Sequence, residues 1–348
     1  MIGLGDLGRR LALGLARSAG VGELILAGRD RPESARFAAL ASACGTAAVR
    51  FEPLDCLDVD GIAALLRREQ PDLVIQCAAL LSPWAPRSPR TASWLAAAGF
   101  ALQLPAQLPA VLAVMQAARC ATFHQPVVNC SFPDVTHPIL AQLDLAPTIG
   151  IGNVGMIAAV ARAALRRLGR PADRVRVAAH HSHVTAVMTC DRSRLAGDTH
   201  PRVFIDDAGT AADELAFAGP PLGSSQELNA LSAAHGLELI CALLPGGGAL
   251  ATSAPGPHGL PGGWPVRIAG GRVELDLPPT LSHDDALRDA RAAAADDGVA
   301  GITADGTVHF TDAAQRAVAS FAPALAAPLA PRDCLARFAR LRDAMDAG

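Results

Sequence analysis

Apolar positions in the first 150 residues alternate between two periods. Residues 4–18, LGDLGRRLALGLARS, put Leu11, Leu13 and Leu15 with Ala12 and Ala16 on a broad apolar face, which predicts a helix. Residues 22–30, GELILAGRD, form a short apolar run with a polar end and read as a buried strand. A second helix follows over 32–45, a strand within 47–58, a third helix over 59–70 and another buried strand over 71–79, PDLVIQCAA. Near-continuous apolar strands alternating with helices predict a parallel sheet covered on both faces.

The rhythm continues past residue 80. Residues 80–100 are rich in Pro and Ser and read as a loop leading into a helix. A helix is expected over 104–120, then a strand ending near Cys130 with a turn and short helix, a sixth short strand over 147–153 and a helix over 154–169 closed by Gly169. Residues 173–190, DRVRVAAHHSHVTAVMTC, read as a strand passing through a histidine cluster, and 224–244 as a long helix. The Gly/Pro-rich segment 244–265 reads as an irregular loop, and strand and turn signals recur at 270–282 and 301–310. A closing amphipathic helix over 334–347 places Leu335, Phe338, Leu341 and Met345 on one face.

At 348 residues, 51% of them apolar, two packed domains are expected, 1–150 and 151–348. A net charge of −3 gives no basic footprint for nucleic acid. Apolar stretches long enough for a membrane span are interrupted by Arg, Asp, Pro or Gly, and no signal segment precedes the first glycine motif; a cytoplasmic protein is expected. Eight cysteines are scattered with no C-x-x-C, so no metal site is expected. The chain has no tyrosine, and all 30 basic residues are arginine. Lysine Schiff-base chemistry, a Tyr-Lys proton relay and a P-loop lysine are therefore excluded.

The opening MIGLGDLGRR fits G-x-G-x-x-G through Gly3, Gly5 and Gly8. Such glycines let a strand-to-helix turn approach a pyrophosphate at a helix N-terminus. Only two residues precede Gly3: either the first strand is cut to Met1 and Ile2, or the natural chain starts earlier, and a longer N-terminus is then expected to raise stability and cofactor affinity. Gly28 stands where an NAD site would carry an acid, and Arg29 follows, which favours the 2′-phosphate of NADPH, with Arg31 and Ser34 as further contacts. Asp30 is the argument for NAD. The expected cofactor contacts are Gly3, Gly5, Asp6, Leu7, Gly8, Arg29, Asp30, Asp55, Cys77, Ala78, Ala79 and Asn129. The fold class is α/β, a Rossmann-type doubly wound parallel sheet followed by an α+β substrate domain.

The order GLGDLG, the loop after VIQCAA, VVNCSFPDVTHPIL, TIGIGN, VAAHHSHVTAV and LSAAHGLELICALL resembles the lactate/malate dehydrogenase superfamily, which also holds NAD-dependent family 4 glycosidases. The first half is also similar to saccharopine-dehydrogenase-like reductases in GLGDLG, LAGRD and DLVIQCAA. The resemblance implies an acid/base histidine at His183, with His180 and His181 as alternatives, and a mobile loop arginine at Arg87 or Arg90. The dehydrogenases' orienting Asp and carboxylate-gripping Arg fall at Met156 and Ala159, and their Asn-Pro becomes Phe132-Pro133. The glycosidases' metal-binding Cys falls at Gly152, and their tyrosine base is absent. The fold further implies a homodimer paired through helices such as 154–169.

On a strand, His181 and His183 share one face and His180 points away. Two imidazoles on one face suit either a bound metal or a proton held near neutrality, and Asp191 and Asp198 follow as candidate carboxylates. Asn153 caps a helix or hydrogen-bonds substrate. Cys130, Ser131 and Asp134 lie beyond the carboxyl end of the fifth strand, where ligands bind in open α/β sheets. Trp84 and Trp94 shield the site or anchor the loop, and Ser232 borders the pocket or packs. The catalytic set expected is His183, His181, Arg87 and Asn153, in an NADPH-dependent oxidoreductase that reduces C=O or C=N in a small, carboxylate-bearing substrate. The alternatives are a lyase, epimerase or glycosidase-like enzyme that uses tightly bound NAD(P) for transient oxidation, and a non-catalytic nucleotide sensor.

Overall fold

The structure, a computed structural model, describes residues 1–29, 31–85, 87–319 and 322–346. The first half runs α1 (Asp6–Ala16), β1 (Glu23–Gly28), α2 (Pro32–Ala43), β2 (Ala48–Pro53), α3 (Val59–Glu69), β3 (Val74–Gln76), α4 (Pro89–Ala98), α5 (Leu104–Cys120), β4 (Val127–Asn129), α6 (Pro133–Ala141), β5 (Ile149–Gly150) and α7 (Asn153–Arg167). β1 pairs with β2, and β4 pairs with β3 and β5, all in parallel. Ile2 bridges both halves of this sheet, pairing in parallel with Ala27 and with Gln76. Its N–H donates to Ile75 O at 2.8 Å and its carbonyl accepts from Cys77 at 2.7 Å. The order is thus β2-β1-Ile2-β3-β4-β5. Ile2 occupies the central strand position, held by main-chain bonds on both sides.

The second half contains β6 (Arg176–Ala178), α8 (Val184–Thr189), β7 (Arg202–Phe204), α9 (Asn229–Leu243), β8 (Leu250–Pro255), β9 (Gly263–Ala269), β10 (Arg272–Leu275), α10 (His283–Asp296), β11 (Val299–Ile302), β12 (Val308–Phe310), α11 (Asp312–Ala319), α12 (Pro323–Ala326) and α13 (Cys334–Asp346). Its sheets are antiparallel: β6 with β7, β8-β9-β10, and β11 with β12. One core cluster joins Leu11, Leu26, Ile75 and Val128 of the parallel sheet layer to Leu239, Trp264 and Val266. Another packs Leu104, Leu108 and Ile139 against Val299, Val308 and Phe310.

Four local expectations are corrected. Residues 244–265 are not an irregular loop: they hold β8, a turn and the start of β9. Glycine and proline suggested a loop, yet Gly263 is there for close packing, since a Cβ would stand 2.3 Å from Val154 Cβ. Residues 173–190 are a strand only to Ala178, after which the chain makes a 3-10 turn over His181–His183 and enters α8. The long helix α9 starts at Asn229, after a separate 3-10 turn at Gln226–Leu228. In α13, Leu341 is buried and Phe338 and Met345 pack against the core, but Leu335 is 51% exposed.

Helix α7 exposes only Arg166 and Arg167, because α8, α9, β8 and the 3-10 segment Asp213–Phe217 pack around it. The pairing surface expected by analogy on 154–169 is therefore largely covered by the chain itself. Trp94 is buried with Leu95, Val318 and Leu341, so it anchors α4 to the C-terminal helices.

Candidate active site

The glycine turn sits between Ile2 and α1, and its three glycines face three different surroundings. Gly3 has φ +102°, and a Cβ there would meet Ala78 N at 2.5 Å, so the turn presses against the chain leaving β3. At Gly8 a Cβ would meet Gly3 O at 2.3 Å, whereas at Gly5 it would meet nothing within 4 Å. Gly3 and Gly8 thus let the helix and strand approach, while Gly5 opens outward from the end of α1. No side chain caps that helix, so its first N–H groups, Asp6 to Gly8, point into this opening. A pyrophosphate fits the cradle at Gly5.

Asp6 does not face that opening alone. Its carboxylate accepts from Arg10 Nε at 2.8 Å and from Asn229 Nδ2 at 2.9 Å. Burial works to raise its pKa, but these donors hold it below the ordinary value. Asn229 Oδ1 in turn accepts from Trp84 Nε1 at 3.3 Å, linking the loop after β3, α9 and the glycine turn. Leu7 packs its side chain inward against the core.

Beyond β1 and β2 lies a cleft of about 540 Å³ lined by Arg29, Glu52, Leu54, Asp55, Asp58 and Arg68. Three of its charges are already matched. Glu52 pairs with Arg50 and Arg68, Asp58 caps α3 through Gly61 N, and Asp55 accepts from Leu57 N at 3.0 Å. Arg29 is exposed, with no ion-pair partner among the described residues. Ser34, expected to contact phosphate, is 4% exposed and donates to Arg29 O, and Arg31 stands beside Glu33. Asp30 lies outside the described residues.

At the carboxyl ends of β3 and β4, Cys77 and Cys130 bring their sulfurs to 3.3 Å, and this contact with burial pushes the Cys130 thiol up. Ala78 and Ala79 carry the chain away from β3; Ala78 O accepts from Gln76 Nε2 at 2.7 Å. Asn129, expected to touch cofactor, is fully buried. Its amide accepts from Ser131 N and donates to Thr136 Oγ1, so it shapes the β4–α6 turn instead. Ser131 Oγ is taken by Gln107.

Next to this crevice the three histidines separate into different roles. Asp297, in the turn between α10 and β11, pairs through both oxygens with His181 Nδ1 at 2.9 Å, and His180 Nδ1 lies 3.1 Å from one of them. His181 keeps 25% of its side-chain surface open. Its Nε2 has no hydrogen-bond partner among the described residues. Its ring lies 4.4 Å from Phe100 and 5.1 Å from Phe132, which fixes its plane. Phe132 holds a left-handed φ of +45°, a strained conformation that non-glycine residues seldom adopt. Burial works to lower the His181 pKa, but the Asp297 carboxylate, with Asp134 behind it, raises it. Burial likewise opposes ionisation of Asp297, yet the paired imidazoles hold it well below the usual carboxylate range.

His183, the first choice from the sequence, does not stand on an open strand face. It is 3% exposed, accepts from His180 N through Nδ1 at 3.2 Å and reaches Thr199 Oγ1 through Nε2 at 3.0 Å. Burial, with His180 nearby, pushes its pKa down to about 3. The error came from assuming a strand: in the 3-10 turn, His180 and His183 point inward and His181 stands at the open edge. Asp297 was missed because nothing local in AADDGVA marks it. Asp191 caps a separate turn through Ser193.

Asn153 Nδ2 donates to Asp134 Oδ2 at 3.2 Å, and Asp134 Oδ1 accepts from His181 N at 3.0 Å. Asn153 therefore borders the site through a fully buried carboxylate. Arg87 is tied to Pro83 O and to Gln103 Oε1, each at 2.8 Å, and burial lowers its pKa. Its Nε is buried without a partner. Gln103 ends the 3-10 turn Phe100–Gln103, whose Phe100 ring packs against His181. Arg90 is exposed on α4. Ser232 Oγ points at Met156 Sδ, 2.9 Å away, and packs in the core.

No known family's sequence pattern matches this chain, and no curated protein matches it. Among solved structures, a lactate dehydrogenase, MGS-M5, from a Medee basin deep-sea metagenome library is 13% identical, covering 85% of this chain and 96% of its own at a TM-score of 0.51. The minor L-lactate dehydrogenase from Enterococcus mundtii is 13% identical over 84% of this chain and 93% of its own, TM-score 0.49. The malate dehydrogenase from Aeropyrum pernix is 13% identical over 85% and 96%, TM-score 0.47. The first of these likenesses places the chain in the same overall fold, a Rossmann-type sheet with a second α/β half.

Proposed function

We propose that this protein is an NADPH-dependent oxidoreductase that reduces a C=O or C=N bond in a small substrate. The observation that carries the reading is the His181–Asp297 pair. Its open imidazole edge stands beside the carboxyl ends of a parallel sheet whose glycine turn is shaped for a pyrophosphate. Gly5 with the N-terminus of α1 would hold the pyrophosphate, and Arg29 the 2′-phosphate in the cleft it shares with Asp55. When bound, the dihydronicotinamide supplies hydride.

The chain's own residues supply the rest. His181, held protonated by Asp297, donates from Nε2 to the developing alkoxide or amide nitrogen. Asp297 fixes the ring through Nδ1 and stabilises its charge, while Phe100 and Phe132 exclude water from its faces. Asp134 locks the backbone of His181 and the side chain of Asn153. Arg87, with one donor unpaired, holds a carboxylate on the substrate.

The test is a panel of keto and imino acids, with neutral carbonyl compounds as comparators, assayed with NADPH and NADH in parallel. The expected result is NADPH oxidation with at least one keto or imino acid, slowed roughly 100-fold or more by His181→Gln. NADPH binding without turnover across the panel would favour the nucleotide-sensor reading, and no nucleotide binding at all would remove the proposal.

A further inference from the structure

One buried side chain beside the site has a contact that the reduction just described does not require. His180 is fully buried, and its Nδ1 stands 3.1 Å from Asp297 Oδ2, the oxygen that His181 Nδ1 also reaches at 2.9 Å. A single carboxylate is thus gripped by imidazoles from two consecutive residues. His181 keeps a quarter of its side-chain surface open, and His180 faces inward beside Gly262 and lines a cavity of about 20 Å³ with His183, His200 and Arg202.

His180 Nδ1 has two possible partners. Ser182 N is aligned to donate to it at 3.3 Å. The carboxylate of Asp297 is closer and can only accept. One ring nitrogen cannot both accept from Ser182 and donate to Asp297. The Asp297 contact is the shorter of the two, and a charge-assisted bond is the stronger kind. It also satisfies an oxygen that would otherwise lie buried with its charge spread over a single partner. His180 Nε2 has no partner among the described residues, and the adjoining cavity has room for one water to donate to it.

We propose that His180 is a positioning residue for the acid pair: its Nδ1–H holds Asp297 in place and draws off part of its negative charge. This inference rests on His181 being the proton donor, but its test does not. The carboxylate must be held by two bonds to keep His181 in one plane between Phe100 and Phe132. Sharing its charge with His180 keeps His181 from binding its proton too firmly to release. The other charged groups facing the pair are Asp134 from α6 and Asp296 from α10, with His183 and His200 on the far side of His180. Among the described residues, none of these hydrogen-bonds the Asp297 carboxylate.

The decisive measurement is the tautomer of His180 in the unmodified protein, read from imidazole nitrogen resonances by NMR. Nδ1–H with a bare Nε2 is expected; Nε2–H with Nδ1 accepting from Ser182 overturns the proposal. Two variants give a second readout. His180→Leu removes the donor, and the His181 titration midpoint is expected to rise by roughly one unit, because Asp297 then has one partner. His180→Asn keeps an N–H near the Nδ1 position and is expected to leave the midpoint within about 0.3 units of the parent. A midpoint unmoved in His180→Leu would show that His180 only fills space. If that variant fails to fold, the tautomer alone decides. Failure of the enzyme reading would show instead as absent turnover with the predicted tautomer present.

Discussion

His181 Nδ1 lies 2.9 Å from both carboxylate oxygens of Asp297, a residue 116 positions further along the chain. The pair joins the turn after β6 to the turn after α10. Two segments with no local sequence relationship thereby make one imidazole–carboxylate pair.

Replacing His181 by Gln is expected to lower kcat roughly 10²–10⁴-fold, the usual range for a lost general acid, with NADPH affinity unchanged. Equal loss of cofactor binding would place His181 in the nucleotide site instead. Asp297→Asn is expected to lower the His181 midpoint, because the group that raises it is gone. The acidic limb of activity would then extend less far toward alkaline pH.

Gly5→Ala and Gly8→Ala separate binding from folding. Gly5 has φ −69° and open space around a new Cβ, so its variant is expected to fold normally. Its methyl would occupy the pyrophosphate opening and weaken NADPH binding roughly tenfold or more. At Gly8 the methyl would press on Gly3 O, and a loss of about 1–3 kcal/mol in stability is expected. Urea melts and fluorescence titration of NADPH measure both; a destabilised Gly5→Ala would count against the open-cradle reading.

Arg29→Ser is expected to cost NADPH about 1.5–3 kcal/mol of binding, roughly 10–100-fold, while NADH changes little. Parallel titrations of the two nucleotides check this. Equal weakening of both would mean that Arg29 contacts the shared adenosine rather than the 2′-phosphate.

Stability is expected to fall on acidification below about pH 6.5, the ordinary histidine value. Burial pushes His137 and His235 down to about 4 and His183 to about 3, so all three are neutral in the fold at pH 6. The unfolded chain takes up protons there that the folded chain refuses. Their contribution is therefore present above pH 6.5 and is lost as the pH drops toward 4, with a slope of at most about 4 kcal/mol per pH unit. His181 acts in the opposite sense: its raised pKa adds stability below pH 6.5 that is lost as pH rises through the folded value. Urea midpoints at pH 5, 6 and 7 test the balance. A midpoint that rises toward pH 5 would show that the three buried histidines are not what limits the fold.

The sequence by itself determined the parallel α/β alternation, the glycine turn, the place of Arg29 and the stretch of chain that carries the histidines. These are local signals: helix and strand periods, a glycine spacing and a charge at a strand end are legible because neighbouring residues produce them. Tertiary structure decided which histidine is open, which carboxylate serves it, and that Arg87 is clamped by Gln103. It also decided that the Gly/Pro-rich run around Gly263 is sheet, since that glycine answers to Val154 across the core rather than to a turn. Burial and pairing are set by residues far apart in the chain. Three imidazoles within four positions therefore look alike in sequence, and only their distant partners separate the buried pair from the one at the crevice.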